Sequence, residues 1–233
     1  MSSLGQSVAP RKRAMLLNTR SRDTRRALTK AALELWGAGD FEQAYEATTS
    51  ADIARVAGVS RGTFYFHFAN KDELLLEMGA QLAEHLNDEV DAGIARGEAL
   101  GPLVDRVLAS MARRVAQTPK AAAVRSGALG FQVRSGERPK TMARGTGAAF
   151  ETLVAYGKER GELSVATDVE DAAAMLLIIS VEAITRWGTG DHSGAWLRDT
   201  LRRRARIVLR GLAPTEDLPS LERGVTACAH PSP

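Results

Sequence analysis

A three-residue corner between two short stretches with helical patterning leaves this chain few ways to fold. Gly58 can adopt the positive φ that ends a helix, Val59 is a lone apolar residue, and Ser60 can cap a second helix through its hydroxyl. Thr49 offers a similar cap to the first helix, with Asp52 placed to complete a capping box. This order predicts two short helices joined by a tight turn, the arrangement of a helix-turn-helix.

Apolar residues recur at helical spacing on both sides of this corner. The stripe before it covers residues 28–36 and ends at Gly37 and Gly39. After it, Asn70 can cap a long helix, with Glu73 at the third helical position to complete the reciprocal box. Leucines on one face continue that helix, which we expect to link the corner to the rest of the chain.

The remainder of the chain repeats the helical pattern. No stretch alternates with a period of two residues, so strands are not expected. The sequence predicts an all-α fold, with an N-terminal three-helix helix-turn-helix domain followed by a larger helical domain. The helical segments of the larger domain beyond the linking helix are residues 103–116, 121–131, 141–160, 169–187 and 195–212.

Positive charge is concentrated in the first third of the chain. Residues 1–71 contain eleven lysines and arginines against six acidic residues, whereas the other residues carry a small acidic excess. Within residues 1–30, eight side chains are basic and only Asp23 is acidic. Such a segment is suited to lie near phosphates, although a solubilising tail has the same composition.

Several other classes of protein are not indicated by the sequence. The longest apolar stretch, residues 172–181, is about half a membrane-spanning helix, and no secretory signal is recognisable, so we expect a cytoplasmic protein without a membrane partner. The single cysteine, Cys228, permits no intramolecular disulfide, and the scattered histidines predict no metal site. No catalytic set or complete phosphate-binding loop is recognisable, so neither catalytic residues nor a cofactor are expected. An enzyme with an appended DNA-binding segment is therefore a weaker alternative than a protein without catalytic activity.

Residues 48–74 closely resemble the signature of TetR-type (tetracycline-repressor-like) regulators. They join a capped helix, an Ala-Gly-Val-Ser turn, a Thr-Phe-Tyr helix and an Asn-Lys-Asp-Glu-Leu exit in fixed register. At the motif level the resemblance covers residues 22–78, and beyond them only the number and length of the helices are similar. The connector before Thr48 is a few residues longer than is usual in the family, and Ala44 stands where a glycine commonly precedes the aromatic Tyr45.

The second helix of the motif has an inner and an outer face. Phe64 and Phe68 are one helical turn apart and are expected to pack inward. The N-terminal end of such a helix enters the major groove, where Arg61 can contact a guanine edge and Thr63 a thymine methyl group. Gly62 lets the backbone approach the DNA closely.

The resemblance implies that Tyr65, His67 and Lys71 contact phosphates, which gives affinity without sequence preference. Thr49 can offer its hydroxyl and backbone N–H to another phosphate. Phe66 lies at a position that often touches DNA in the family, but a phenyl ring there can equally cover the domain junction. The expected DNA-binding residues are Thr49, Ser60, Arg61, Gly62, Thr63, Tyr65, His67 and Lys71.

The resemblance also implies that the last two helices form a dimer interface as a four-helix bundle. Their apolar residues exceed what one helix has to bury, which is compatible with a dimer, although a monomeric core is an alternative. These residues are Ala172, Met175, Leu176, Ile179, Ala183 and Trp187, with Trp196, Leu197, Leu201, Ile207, Val208 and Leu212.

A small molecule is expected to bind inside the larger domain. The candidate walls of an apolar cavity are Met111, Phe131, Met142, Phe150 and Met175, because methionine and phenylalanine adapt to varied ligands. Few polar anchors are evident, which favours a hydrophobic or amphipathic ligand. The same residue types also fill ordinary cores, so a regulator without a ligand is an alternative.

Together these features predict a homodimeric transcription regulator. We expect it to repress by binding a pseudo-palindromic operator in double-stranded DNA and to be released by its ligand. The predicted boundaries are a flexible basic arm over residues 1–21, a DNA-binding domain over 22–70, a ligand-sensing and dimerisation domain over 71–213, and a flexible tail over 214–233.

Overall fold

The computed structural model describes the backbone of residues 9–37, 39–134 and 145–214, and the side chains of residues 19–37, 39–130 and 145–214. Every regular element in those ranges is a helix, as the sequence predicts. In chain order the helices are α1 (Ala9–Trp36), α2 (Phe41–Ala47), α3 (Ser50–Val56), α4 (Arg61–His67), α5 (Lys71–Ala95), α6 (Leu100–Ala116), α7 (Lys120–Arg134), α8 (Thr146–Glu159), α9 (Val169–Thr189) and α10 (Gly194–Gly211).

The first helix begins earlier than expected. It starts at Ala9, so the boundary of the flexible arm predicted over residues 1–21 has to be corrected over residues 9–21, which are helical. Pro10 lies in the first turn, where proline is tolerated, and no glycine or proline follows it before Gly37. The abundant leucine, arginine and alanine of the segment favour a continuous helix. Residues 1–8, and the predicted tail from residue 215 onward, lie outside the described residues.

The connector after α1 contains the short helix α2. Asp40 caps it by accepting a hydrogen bond from the backbone N–H of Gln43 at 2.9 Å. Phe41 and Tyr45 are buried, with ring centroids 6.1 and 5.0 Å from that of Trp36. Both aromatic residues of α2 thus fold back onto the first helix.

The N-terminal helices share one hydrophobic core, which also includes a residue from α7. Leu28, Ile53 and Phe64 are fully buried within it. Ala122 of α7 is fully buried in the same cluster. The DNA-binding candidate region is therefore packed directly against the larger helical region.

The larger region has its own core, in which α9 is central. By length and composition alone, α9 is apolar enough to cross a membrane. In the fold it packs against α7, α8 and α10 and buries Leu176, Ala183 and Trp187 among them. The buried share of its apolar window is 39%.

The apolar residues assigned from sequence to a dimer interface are divided among three environments. Half of them are buried in the core of the protomer itself and are not available to a partner. Ile179, Trp196, Val208 and Leu212 are partly buried against the core of the larger region. Met175 and Ile207 are 54% and 67% exposed, and Ile178, which the sequence analysis did not select, is 57% exposed. The buried half comprises Ala172, Leu176, Ala183, Trp187, Leu197 and Leu201.

Candidate nucleic-acid interface and internal cavity

A complete capping box starts α3. The Thr49 hydroxyl accepts the backbone N–H of Asp52 at 3.2 Å, and the backbone N–H of Thr49 donates to the Asp52 carboxylate at 3.1 Å. The Thr49 hydroxyl also donates to this carboxylate, at 2.6 Å. The two donors expected to meet a phosphate are thus both occupied by Asp52 in this structure.

The corner between α3 and α4 has the predicted geometry. Gly58 has φ of 71°, the left-handed conformation that only glycine adopts at little cost. The backbone N–H of Val59 then donates to the carbonyl of Ala54 at 2.9 Å, which closes the end of α3. Ser60 caps α4, because its hydroxyl accepts the backbone N–H of Thr63 at 3.0 Å.

Helix α4 has one buried and one exposed face. Phe64 and Phe68 are buried and anchor the helix to the N-terminal core. Arg61 and Gly62 lie exposed at its N-terminal end, and Phe66 is 82% exposed. The side chains that the sequence places at the tip of α4 are therefore at the surface, while their role in DNA binding stays a prediction.

Tyr65 joins α4 to the start of α3. Its hydroxyl lies 2.8 Å from the hydroxyl of Ser50, and the guanidinium of Arg61 lies 5.5 Å from the centroid of its ring. The hydrogen bonds with Ser50 and Arg61 lower the pKa of the Tyr65 phenol, so its O–H is a better donor than usual. Ser50 is a residue that sequence reasoning missed, because it meets Tyr65 only once both helices have packed.

Of the expected phosphate contacts, Lys71 is engaged within the protein and His67 is uncharged at neutral pH. The ammonium group of Lys71 donates to the carbonyl of Tyr45 and lies 4.4 Å from the centroid of the tyrosine ring. His67 is partly buried, and burial together with the nearby Arg25 holds its pKa below the ordinary value. The imidazole of His67 is therefore neutral at neutral pH, with one N–H to offer, whereas Lys71 fastens α5 to α2.

Two glycines of the corner provide a matched test of its geometry. Gly58→Ala is expected to reduce the free energy of unfolding by about 1–2 kcal/mol, because alanine is strained at positive φ. Gly62→Ala places a Cβ no closer than 3.6 Å to its neighbours, so stability should hold or rise by up to ~1 kcal/mol in this helix. Urea denaturation of both variants measures the difference, and equal stability would contradict the assigned turn.

A cavity of about 1020 Å³, partly open to solvent, lies between the N-terminal helices and the larger region. Its walls come from α1, α5, α6, α7 and α9, and from Gly145 and Thr146 at the start of α8. Most of the wall is apolar, with Leu33, Leu82 and Ile184 as examples. This volume is at the upper end of the range for pockets that enclose small molecules.

Of the five residues expected to line a cavity, the structure places only Met111 in its wall. Phe150 is buried in the core without reaching the cavity, and Met175 is exposed on the outer face of α9. Met142 and the side chain of Phe131 lie outside the described residues. The cavity is therefore enclosed mainly by aliphatic residues and glycines that the composition of the segments did not single out.

Helix α7 contacts both the cavity and the N-terminal helices. Val124 and Gly127 face the cavity. Ser126 also lines the cavity, and its hydroxyl donates to the carbonyl of Leu75 at 2.6 Å. The Arg125 guanidinium lies 4.2 Å from the ring centroid of Tyr45. A shift of α7 in response to a cavity occupant would therefore be transmitted to α2 and to the start of α5.

The described residues contain one serine, histidine and glutamate in mutual contact, but not in the order that nucleophilic catalysis uses. Ser110 lies 2.9 Å from Nε2 of His85 and donates to Glu89 at 2.9 Å. Glu89 approaches the same Nε2, at 3.2 Å, instead of orienting the ring through Nδ1. No group of metal-ligating side chains is found in the described part of the chain.

Residues 28–78 match the family model described as bacterial regulatory proteins, tetR family. The transcriptional regulator TtgR of Pseudomonas putida is 35% identical over 105 residues, which are 41% of this chain and 48% of that protein. The regulator YxbF of Bacillus subtilis is 42% identical over 67 residues, 27% of this chain and 17% of that protein. The chain thus spans less than half the length of these curated relatives.

The whole fold also has counterparts among solved structures. FadR of Thermus thermophilus, a TetR-family transcriptional repressor solved in complex with lauroyl-CoA, is 25% identical with a TM-score of 0.55. The match covers 84% of this chain and 98% of FadR. Similarity to regulators is therefore found both in the N-terminal sequence and in the arrangement of the helices, and none of these relatives is described as an enzyme.

Proposed function

Since the chain belongs to the TetR family of bacterial regulators, we propose that it is a transcriptional repressor that binds an operator in double-stranded DNA through α4. One observation carries the proposal. Arg61, Gly62 and Tyr65 stand exposed on a capped helix that Phe64 and Phe68 anchor to the N-terminal core. Such a helix can enter a major groove without any change in its own packing.

Within this proposal the exposed residues have distinct tasks. Arg61 reads a guanine edge by paired hydrogen bonds, and Thr63 presents a methyl group to thymine. The Tyr65 phenol donates to a phosphate, with Ser50 as its neighbour. Phe66, exposed beside them, supplies a further apolar surface toward the DNA. We infer a cytoplasmic location from the need to reach DNA and from the soluble regulators that the chain is similar to.

We propose further that the protein binds its operator as a homodimer. Met175, Ile178 and Ile207 form an exposed apolar face on two neighbouring helices, α9 and α10. Joining this face to its copy about a twofold axis removes all three side chains from water in both protomers. A twofold dimer presents two α4 helices, which suits a pseudo-palindromic operator with half-sites one DNA turn apart.

Ligand control of the operator is the third part of the proposal. The cavity is large and mainly apolar, and its walls include α1, which packs against α3, and α7, which packs against α2. A hydrophobic or amphipathic molecule that binds better to one arrangement of these helices shifts the population toward it. The operator is released if, in that arrangement, the two α4 helices no longer match the spacing of the half-sites. The capture of lauroyl-CoA by FadR is in keeping with such a ligand.

The central test is a pair of substitutions on α4. With operator DNA selected from a random pool by the full chain, Arg61→Ala is expected to weaken binding by about 1–3 kcal/mol. Tyr65→Phe should weaken it less, because the ring stays in place and only the hydroxyl is lost. Fluorescence anisotropy with labelled operator measures both effects, and thermal unfolding should be unchanged because neither side chain is buried.

Ser50→Ala is the control that separates the two tasks of the Tyr65 hydroxyl. It removes the internal partner but leaves the phenol free to meet a phosphate, so operator affinity should remain close to that of the wild-type chain. Loss of affinity in Ser50→Ala equal to that in Tyr65→Phe would mean that the hydroxyl only braces the two helices. Unchanged affinity in both Arg61→Ala and Tyr65→Phe would count against α4 as the reading helix.

A further inference from the structure

A small polar pocket adjoins the main cavity on its α5 and α6 side. Its volume is about 290 Å³, and it shares Arg114 and Gln117 with the wall of the main cavity. We call this pocket the annex. The residues that line it are His85, Glu89, Ser110, Arg113, Arg114 and Gln117.

The charges on the wall of the main cavity do not balance. Three of its lining residues are ionisable: Lys30, Glu34 and Arg114. Lys30 and Glu34 pair with each other at 3.7 Å. Arg114 has no carboxylate at ion-pair distance among the residues that the structure describes. Among the described residues, Arg114 is thus the one charged wall residue without a carboxylate partner, and its exposed side chain lines both pockets.

The annex itself carries an excess of positive charge. Arg113 and Arg114 both line it, against one carboxylate, that of Glu89. Glu89 already accepts from Ser110 at 2.9 Å and lies 3.9 Å from the guanidinium of Arg106, which does not line the annex. Arg113 and Arg114 are both exposed, and neither lies at ion-pair distance from Glu89, so an anion in the annex would meet two solvent-accessible guanidinium groups.

His85 completes the annex as a neutral group. Burial, together with the nearby Arg114 and Arg113, lowers its pKa, while Glu89 and Asp88 act in the opposite sense. A neutral ring beside Arg114 leaves the guanidinium as the principal charge that an anion would meet. Gln117 adds an uncharged amide donor at the same point.

We propose that the annex selects an anionic head group, a carboxylate or a phosphate, on an amphipathic ligand whose apolar part occupies the main cavity. Arg114 binds the head, because a guanidinium matches the planar oxygens of a carboxylate or the edge of a phosphate. This inference rests on the proposed function, since it specifies the ligand class of the same cavity. It goes beyond that function in excluding neutral apolar molecules as the preferred ligands.

Three probes with one apolar chain test the head group: dodecanoate, dodecyl phosphate and dodecan-1-ol. Calorimetry at neutral pH, below the concentrations at which the probes form micelles, is expected to show the anions binding the full chain about tenfold more tightly than the alcohol. The better of the two anions identifies which head the annex accommodates. Arg114→Gln should remove the preference and leave the affinity for the alcohol unchanged.

Arg203→Gln is the matched control, because Arg203 is an exposed arginine of α10 that lines neither pocket. It should retain the full preference for the anions. Equal affinity of the wild-type chain for alcohol and anions, or a preference that survives Arg114→Gln, overturns the inference, as does the absence of binding by all three probes. Operator binding by the same samples is measured in parallel. If the wild-type chain binds operator, a negative result with the probes overturns the inference alone. If the wild-type chain does not bind operator, the proposed function itself is wrong.

Discussion

Ile207→Glu is expected to turn the proposed dimer into a monomer and to abolish tight operator binding. Ile207 is 67% exposed on α10, and Met175 and Ile178 are exposed on α9, which packs against α10. Burial of such a side chain contributes about 1.5–3 kcal/mol to the stability of the dimer, and the substitution is present in both protomers, so this contribution is lost twice. The dimer should therefore weaken by about 3–6 kcal/mol, roughly a hundredfold to ten-thousandfold in its dissociation constant. Analytical ultracentrifugation and anisotropy with operator DNA measure the two effects.

Ala92→Glu provides the control for added charge, because Ala92 is exposed on α5, outside the apolar face. This variant should stay dimeric and bind operator as the wild-type chain does. Each protomer of Ile207→Glu should keep its thermal stability, since the isoleucine contributes little to the core of the protomer. A dimer of undiminished affinity in Ile207→Glu would show that copies of this chain meet through another surface.

Phe64→Ala is expected to destabilise the N-terminal helices by about 3–5 kcal/mol. Phe64 is fully buried, with its ring centroid 6.0 Å from that of Phe68, so its truncation leaves a cavity in the N-terminal core. The loss should appear as a lower midpoint of chemical denaturation, and α4 should no longer hold a fixed orientation. Operator binding is then lost through unfolding of the region and not through a missing contact.

Phe66, on the exposed face of the same helix, provides the comparison for Phe64. Phe66 is 82% exposed, so Phe66→Ala should change the free energy of unfolding by no more than about 0.5 kcal/mol. Any loss of operator affinity in Phe66→Ala then reports a contact with DNA. Similar destabilisation by the two substitutions would be incompatible with the inner and outer faces of α4 described above.

The corner around Gly58 could be predicted from sequence because its determinants are local. A cap hydroxyl and the backbone group that it satisfies lie three residues apart, so Thr49 with Asp52 and Ser60 with Thr63 can be recognised without knowledge of the fold. The inward packing of Phe64 follows from helical spacing alone. These same short-range rules gave no warning about Ser50, whose contact with Tyr65 depends on how two helices pack.

The cavity could not be predicted for a related reason. Met111, Phe150 and Met175 are chemically similar, yet one lines the cavity, one fills the core and one faces solvent. Their environments depend on the rotation and crossing of long helices, which residue type does not encode. The early start of α1 at Ala9 was missed because basic residues were interpreted as an arm, although arginine and lysine favour helices nearly as well as leucine.

The burial of Ala122 among the N-terminal helices bears on the design of chimaeric regulators. Exchange of DNA-binding domains between related proteins assumes that a domain ending near residue 70 contains its whole hydrophobic core. Here that core includes the methyl group of Ala122 from α7. Arg125 and Ser126 of the same helix also contact Tyr45 and Leu75 of the N-terminal helices. A chimaera that preserves this packing must therefore include the contacting residues of α7 together with the DNA-binding domain.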